Sequence, residues 1–155
     1  MNANIQLITA TIGSFGFAVL FNIRGKRALA AGFGGLLSWG IFLLMSLFIH
    51  NDPINYFIAS VLTSFYAEIM ARILKTPTTT FITTSLIPLV PGGSLYYTMA
   101  YAFESDSKSF LSRGTETLQL ASALALGVIV AATATKLYVG YRVSKKKQAL
   151  ERAKQ

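Results

Sequence analysis

The chain has 155 residues, of which 53% are hydrophobic and 13% are charged, and its mean hydropathy is +0.52. Soluble domains carry roughly a quarter charged residues, so this composition argues against a soluble domain and indicates a membrane protein. The net charge of +8 comes from 14 Lys and Arg that lie in short clusters between apolar runs, which argues against nucleic-acid binding. The absence of cysteine excludes disulfides, thiolate metal sites and a cysteine nucleophile.

Five apolar runs are long enough to cross a bilayer, whose hydrocarbon core needs about 20 residues of helix. In chain order they cover residues 5–23, 28–49, 54–74, 79–103 and 118–139. The first run lacks the basic flank of a cleavable signal peptide, so we interpret it as a retained helix. We therefore predict an all-α integral membrane protein of five transmembrane helices, with a membrane domain over residues 1–141 and a basic tail over residues 142–155.

The basic residues predict the orientation of these helices, because cytoplasmic loops are enriched in Lys and Arg. Clusters follow the first run at 24–27, close the third run at 72–75 and fill the tail, which should also contact anionic lipid. The connections 50–53 and 104–117 show no such excess. This alternation predicts an amino terminus outside, a cytoplasmic carboxyl terminus and an odd number of crossings. A re-entrant hairpin in the fourth run is the alternative, and it would place the tail on the wrong side.

The fourth run is interrupted by Pro88-Leu-Val-Pro-Gly-Gly93. Proline removes an amide donor and glycine permits dihedrals that a helix forbids, so we predict a helix broken near the membrane midplane. Irregular backbone at that depth is tolerated where it is buried in protein or lines a wet cavity, and the unpaired amides after Gly93 suit a carboxylate. A structural kink without a ligand is the alternative. The predicted substrate-binding residues are Pro88, Pro91, Gly92, Gly93, Ser94, Tyr97, Thr83 and Thr84.

Glu68 is the only acid inside a predicted span, and Arg72 follows it at the four-residue spacing that allows pairing on one helix face. An ionisable residue in a span is a functional candidate, so we predict a coupling or gating role for Glu68 and Arg72. A purely structural ion pair is the alternative. His50 is the single histidine, so we predict no metal site, no cofactor and no catalytic triad.

Small residues recur on the faces of several spans and predict close helix packing, because backbones approach each other only where side chains are small. The residues concerned are Ala123, Gly127, Ala131 and Thr135 in the fifth span, Ala31, Gly32, Gly35, Ser38, Trp39 and Gly40 in the second, and Gly13 and Gly16 in the first.

Three segments resemble the threonine/serine exporter family, and the proline–glycine segment is the most specific of them. They are Ile87-Pro-Leu-Val-Pro-Gly-Gly-Ser-Leu-Tyr-Tyr97, Ala18-Val-Leu-Phe-Asn22 followed by a basic turn, and Ala67-Glu-Ile-Met-Ala-Arg72 running into Lys75-Thr-Pro77. The resemblance covers nearly the whole chain. Within the family, the chain is similar to the small subunit of the two-component form, which corresponds to the second half of the fused exporters.

The resemblance implies a transport subunit of the bacterial inner membrane that exports threonine and serine, or a dicarboxylate such as succinate. It also implies a larger membrane subunit as partner, and further copies of the chain are a second candidate. An inverted pair of five-span units would explain an amino terminus outside. The residues select neither the solute nor the coupling ion. A non-transporting assembly subunit is the alternative function.

Overall fold

The computed structural model describes residues 2–104 and 106–152, and in this part of the chain every regular element is a helix. The helices are α1 Ala3–Leu20, α2 Lys26–Ser46, α3 Asp52–Ile73, α4 Thr78–Ser85, a 3-10 helix Ile87–Leu89, α5 Gly92–Phe103 and α6 Ser107–Arg152. Four of the described helices, α1, α2, α3 and α6, are long and apolar enough to cross a membrane. The predicted all-α class is confirmed, and the fourth predicted run is divided among α4, the 3-10 helix and α5.

Helix α6 is much longer than the predicted span 118–139. Its 46 residues correspond to about 69 Å at the usual rise, whereas a bilayer core is about 30 Å thick. It takes in most of the stretch 104–117, which the hydropathy pattern assigned to a connection, and it continues past the predicted domain boundary at residue 142. Polar helix formers extend a helix into water, and a hydropathy window does not register such extensions.

Helices α3 and α6 run in the same direction. Ser60 on α3 lies against Gly127 on α6, and eight residues further along each helix, Glu68 and Thr135 line one cavity. Helices α1 and α2 are antiparallel, because Gly32 contacts Phe15 whereas Gly40 faces Leu7. The chain must therefore return along the bundle between the end of α3 and the start of α6.

Helix α4 is inserted between α2 and α3 and fills the interior of the bundle. Phe81 is fully buried in one apolar cluster, and Leu86 and Leu89 belong to a second cluster further along the bundle. The first cluster contains Ala18, Ile23, Ala28, Ala30, Ala31, Ala67, Ala71 and Phe81, and the second contains Tyr56, Ala59, Leu86, Leu89 and Leu120. Helix α5 is different, since it packs mainly on α6 and has no fully buried residue.

Two similar turns bring the basic clusters to one end of the bundle, which we call the basic end and which holds residues 24–27 and 72–75. Helix α1 is followed by Asn22 with φ 58° and helix α3 by Lys75 with φ 49°. The next residue in each case donates its amide back across the last turn, with Ile23 bound to the Ala18 carbonyl and Thr76 to the Ala71 carbonyl, both at 2.9 Å. This hydrogen bond, with the preceding residue in the left-handed region, is that of a Schellman motif at the end of a helix.

Serine side chains fill the space that three glycines leave between helices. A β-carbon at Gly35 would collide with Ser14, one at Gly34 with Ser85, and one at Gly127 with Ser60. The predicted close packing of α2 and α6 is therefore confirmed at these positions. Gly13 and Gly16 of α1 make no such contact within the described chain, because a β-carbon at either one would meet no described atom within 4 Å.

Candidate functional site

The backbone leaves the helical path between Ser85 and Gly92. Pro88 lies in the first turn of the 3-10 helix, Val90 is extended with φ −64° and ψ 124°, and Pro91 has φ −74° and ψ 55°. The Gly92 amide donates to the Val90 carbonyl at 2.7 Å, which closes a tight turn before α5. The two prolines lack the N–H groups that a continuous helix would use, which explains an interruption at these residues.

Gly92 and Gly93 do not have the dihedrals that the sequence analysis expected. Both lie inside α5, and among the described glycines only Gly25 has a positive φ, at 63°. That expectation is therefore wrong, because Val90 and Pro91 alone make the turn. The two glycines instead leave the start of α5 without side chains. A β-carbon at either one would meet no described atom within 4 Å, so this stretch of backbone is accessible.

The first turn of α5 faces a carboxylate of the same chain. The amides of Gly93 and Ser94 are first-turn amides without a carbonyl four residues earlier in the helix. Ser94 Oγ donates to Glu116 Oε1 at 3.4 Å, and Glu116 Oε2 accepts a hydrogen bond from Arg113 at 2.8 Å. Glu116 precedes Leu120 by one turn of α6, and Leu120 is buried in the cluster of Tyr56. The first turn of α5 therefore does not lie at the predicted middle of the bundle. It lies closer to the end of the bundle that is opposite the basic end.

The hydroxyls of Thr83 and Thr84 are satisfied by their own helix. Thr83 Oγ1 donates to the Thr79 carbonyl at 2.8 Å, and Thr84 Oγ1 donates to the Thr80 carbonyl at 2.9 Å. Thr84 is fully buried, whereas Thr83 borders a cavity of about 300 Å³ beside Phe21. Tyr97, the one aromatic residue among the predicted site residues, is exposed on α5.

Pro88 lines a cavity of about 260 Å³ that also holds Trp39 and Gln6. Trp39 Nε1 donates to Gln6 Oε1 at 3.1 Å, which joins α2 to the first turn of α1. The sequence analysis did not predict this contact. The signal was present, because Trp39 is the only tryptophan and Gln6 is a polar residue in an apolar run.

Glu68 and Arg72 form the expected pair, with 3.6 Å between Arg72 Nη2 and Glu68 Oε2. The Glu68 side chain is 19% exposed and that of Arg72 is 51% exposed. Together with Thr135 and Tyr138 they line a cavity of about 390 Å³ between α3 and α6. Pro88, Thr83 and Glu68 thus border three different cavities, and this chain does not bring the predicted residues into a single pocket.

The interior of the described bundle contains a set of buried polar side chains, all of them uncharged, of which only Thr84 was a predicted site residue. They are Ser14, Ser38, Asn55, Ser60, Thr63, Ser64, Thr84 and Ser85. Half of them belong to α3, at positions 55, 60, 63 and 64, which a search for polar residues at helical spacing could have found. Five buried atoms form no hydrogen bond within the described part of the chain: Ser14 Oγ, Asn55 Oδ1, Thr63 Oγ1, Ser64 Oγ and Ser85 Oγ.

Comparison with known proteins gives one line of support for the identity of this chain. The model of the family described as Threonine/Serine exporter, ThrE, matches residues 6–134, from the first turn of α1 into α6. The matched range contains every site residue that the sequence predicted. No curated protein and no solved structure matches the chain.

Proposed function

The chain belongs to the threonine/serine exporter family, and on this premise we propose that it is a transport subunit that exports small polar metabolites across the bacterial inner membrane. The family match confirms the resemblance found in the proline–glycine segment and its companions. The observation that carries the proposal further is the interior of the bundle, where an α4 helix bearing buried hydroxyls is enclosed by apolar helices.

We propose five crossings, with the amino terminus outside and the carboxyl terminus cytoplasmic. The parallel course of α3 and α6 supports this arrangement, because a re-entrant hairpin would return the chain to the end of α3 and make α6 antiparallel to it. On this view α4, the 3-10 helix and α5 together form the fourth, broken crossing. The clustering of Arg24, Lys26, Arg72 and Lys75 at one end agrees with the expected cytoplasmic side.

The solute that fits best is a threonine or serine zwitterion. The buried polar side chains in the described residues offer hydroxyls and one amide but no charge. Burying unpaired charge is far more costly than burying a neutral polar group, so a dicarboxylate such as succinate would need cations that this interior lacks. The two charges of a zwitterion lie close together and partly compensate each other.

We place the solute carboxylate at the first turn of α5, on the amides of Gly93 and Ser94. Bare backbone at Gly92 and Gly93 leaves this turn accessible, and Arg113 offsets the charge of Glu116, the carboxylate that Ser94 contacts. In this proposal Pro88 and Pro91 hold the backbone open and Tyr97 supplies a hydroxyl one turn further on.

The Glu68–Arg72 pair is placed at the basic end of the path as a gating or proton-coupling group. Its half-open cavity supports such a role, because Arg72 is about half exposed and can part from Glu68 at little cost in solvation. The basic tail would hold this end against anionic lipid.

We propose that a larger membrane subunit of the same family, or further copies of this chain, complete the site. The separation of the predicted residues among three cavities and the exposure of α5 support a site shared with another chain. The alternative is an assembly subunit, for which the interrupted helix serves packing alone.

Threonine export by cells that carry this chain and its partner, compared with cells that lack it, tests the function. Gly93→Leu tests the site, since a β-carbon at this position would meet no described atom within 4 Å and the fold should therefore be retained. We expect strongly reduced export for Gly93→Leu and normal export for Gly16→Leu, a matched control at an equally open glycine on α1. Normal export by both variants at equal protein levels would contradict the carboxylate site.

A further inference from the structure

Three fully buried hydroxyls lie at the middle of the bundle without a hydrogen-bond partner in the described chain. Thr63 and Ser64 are consecutive residues of α3, and Ser85 is the last residue of α4. Their relative exposures are 0%, 1% and 0%, and none of the three oxygens donates or accepts a hydrogen bond. We call these three residues the hydroxyl seam.

The register of α4 on α3 brings the seam together. Phe81 of α4 belongs to the cluster of Ala67, whereas Leu89, eight residues later in the 3-10 helix that follows, belongs to the cluster of Ala59. The two helices are therefore antiparallel. Ser85 is midway between Phe81 and Leu89, and Thr63 is midway between Ala67 and Ala59, so the two residues lie at one level of the bundle, where Ser85 Oγ faces Gly34 of α2.

Local hydrogen bonding does not account for the seam. Neighbouring Thr83 and Thr84 show that a hydroxyl on α4 can donate to a carbonyl of its own helix. Thr63, Ser64 and Ser85 make no such bond. A buried polar group without a partner is unfavourable, and in a membrane such groups are accommodated where they line a water-filled cavity.

Helix α4 is short and is bounded by prolines on both sides. It has eight residues, it begins after Pro77 and it ends before the 3-10 helix that contains Pro88. Toward α2, Ser85 rests on the bare backbone of Gly34. A small outward displacement would expose the seam to water without breaking α2 or α3.

We propose that the transport path runs where α4 meets α2 and α3, along Thr63, Ser64 and Ser85, and that water and a small polar solute without net charge occupy it. The identity of the solute rests on the proposed function. The proposed hydration of the seam does not rest on that function, because it is argued from the buried hydroxyls alone.

Cysteine accessibility tests the path directly, since the chain contains no native cysteine. Thr63→Cys, Ser64→Cys and Ser85→Cys are close in size to the native residues, and Ala18→Cys and Ala31→Cys are controls at equally buried but apolar positions. Each variant in membranes is treated with a small, water-soluble methanethiosulfonate. Because the reagent attacks the thiolate, which forms in water, we expect modification about tenfold faster in the seam than at the controls.

Complete labelling after denaturation establishes that each protein is present, and if one seam variant does not accumulate, the other two carry the test. Equal, slow modification at seam and control positions would overturn the proposal. Threonine that slows labelling of the seam supports the path and its solute. Fast seam labelling in a chain that exports no threonine supports the hydrated path and contradicts the exporter function, so the two failures are distinct.

Discussion

Ser85 Oγ on α4 occupies the space that a β-carbon at Gly34 on α2 would need. The Ser85 β-carbon itself would lie 2.7 Å from that added atom, and the ring of Tyr66 would lie 3.0 Å from it. The depth at which α4 enters the bundle is therefore set by one glycine and one serine. This contact also positions the hydroxyl seam.

Gly34→Ala should consequently destabilise the bundle by about 1–3 kcal/mol, the usual cost of overpacking a core. Thermal unfolding of the purified protein in detergent measures the loss. Gly40→Ala is the matched control on the same helix, since its nearest neighbour would be Leu7 Cδ2 at 3.6 Å, an ordinary contact. Ser85→Gly in the Gly34→Ala background should restore stability, whereas Ser85→Ala should not. Equal behaviour of the two double variants would contradict this geometry.

Gly127→Ala should be harder to rescue. A β-carbon there would collide with Ser60 Oγ and would also lie 2.8 Å from the Phe57 carbonyl, which belongs to the α3 backbone and cannot rotate away. We therefore expect a loss of stability of about 1–3 kcal/mol that persists in the double variant with Ser60→Gly. Gly140→Ala, at an open position of the same helix, should be neutral or slightly stabilising. Full rescue by Ser60→Gly would show that α3 and α6 are free to shift.

Composition and residue spacing predicted the features that depend only on residues close together in the sequence. Long apolar runs predicted five spans, and four of the described helices are long and apolar enough to cross a membrane. The missing amides of Pro88 and Pro91 predicted where regular helix stops, and the four-residue spacing predicted the Glu68–Arg72 contact. Features that depend on which helix faces meet were not predicted. The contact of Gly34 with Ser85 is one, and it required three-dimensional structure because the two residues are far apart in sequence.

Two further errors have clear physical causes. Gly92 and Gly93 were expected to make the break because glycine can adopt unusual dihedrals, but the neighbouring Val90 and Pro91 do so within ordinary ones. Helix α6 was expected to start near residue 118, because a hydropathy window registers lipid contact and not helix length.

Lys75 is a lysine with φ 49°, in the left-handed region that side chains disfavour. Lys75→Gly should stabilise the protein by about 1 kcal/mol, because glycine adopts this conformation without steric cost and the Thr76 amide keeps its bond to the Ala71 carbonyl. Thermal unfolding measures the gain. Lys75→Asn removes the charge while retaining a residue that tolerates left-handed backbone, so it separates charge from conformation. Asn22→Gly should gain less at the equivalent turn, and a loss of stability in Lys75→Gly would contradict the conformational explanation.

Asp106 precedes α6, and its carboxylate accepts a hydrogen bond from the Ser109 amide at 3.2 Å. Hydrogen bonds from the side chain and the backbone of Ser109 lower the pKa of Asp106 below its ordinary value. A lowered pKa means that the folded state prefers the ionised carboxylate. The cap therefore contributes fully above the ordinary pKa of about 3.9 and is lost as the pH falls through the lower folded value.

The amide resonance of Ser109, followed by NMR in detergent as the pH is lowered, should report this change with a midpoint below about 3.9. Ser109→Ala removes the side-chain donor while the backbone donor remains, so its midpoint should move upward only part of the way. Asp106→Asn keeps a capping side chain that does not titrate in this range, and its resonance should stay constant. If the native midpoint were at or above the ordinary value, the carboxylate would not be stabilised at this helix start, and the α5–α6 connection would have to be held by the Ser94–Glu116 and Thr98–Thr117 contacts instead.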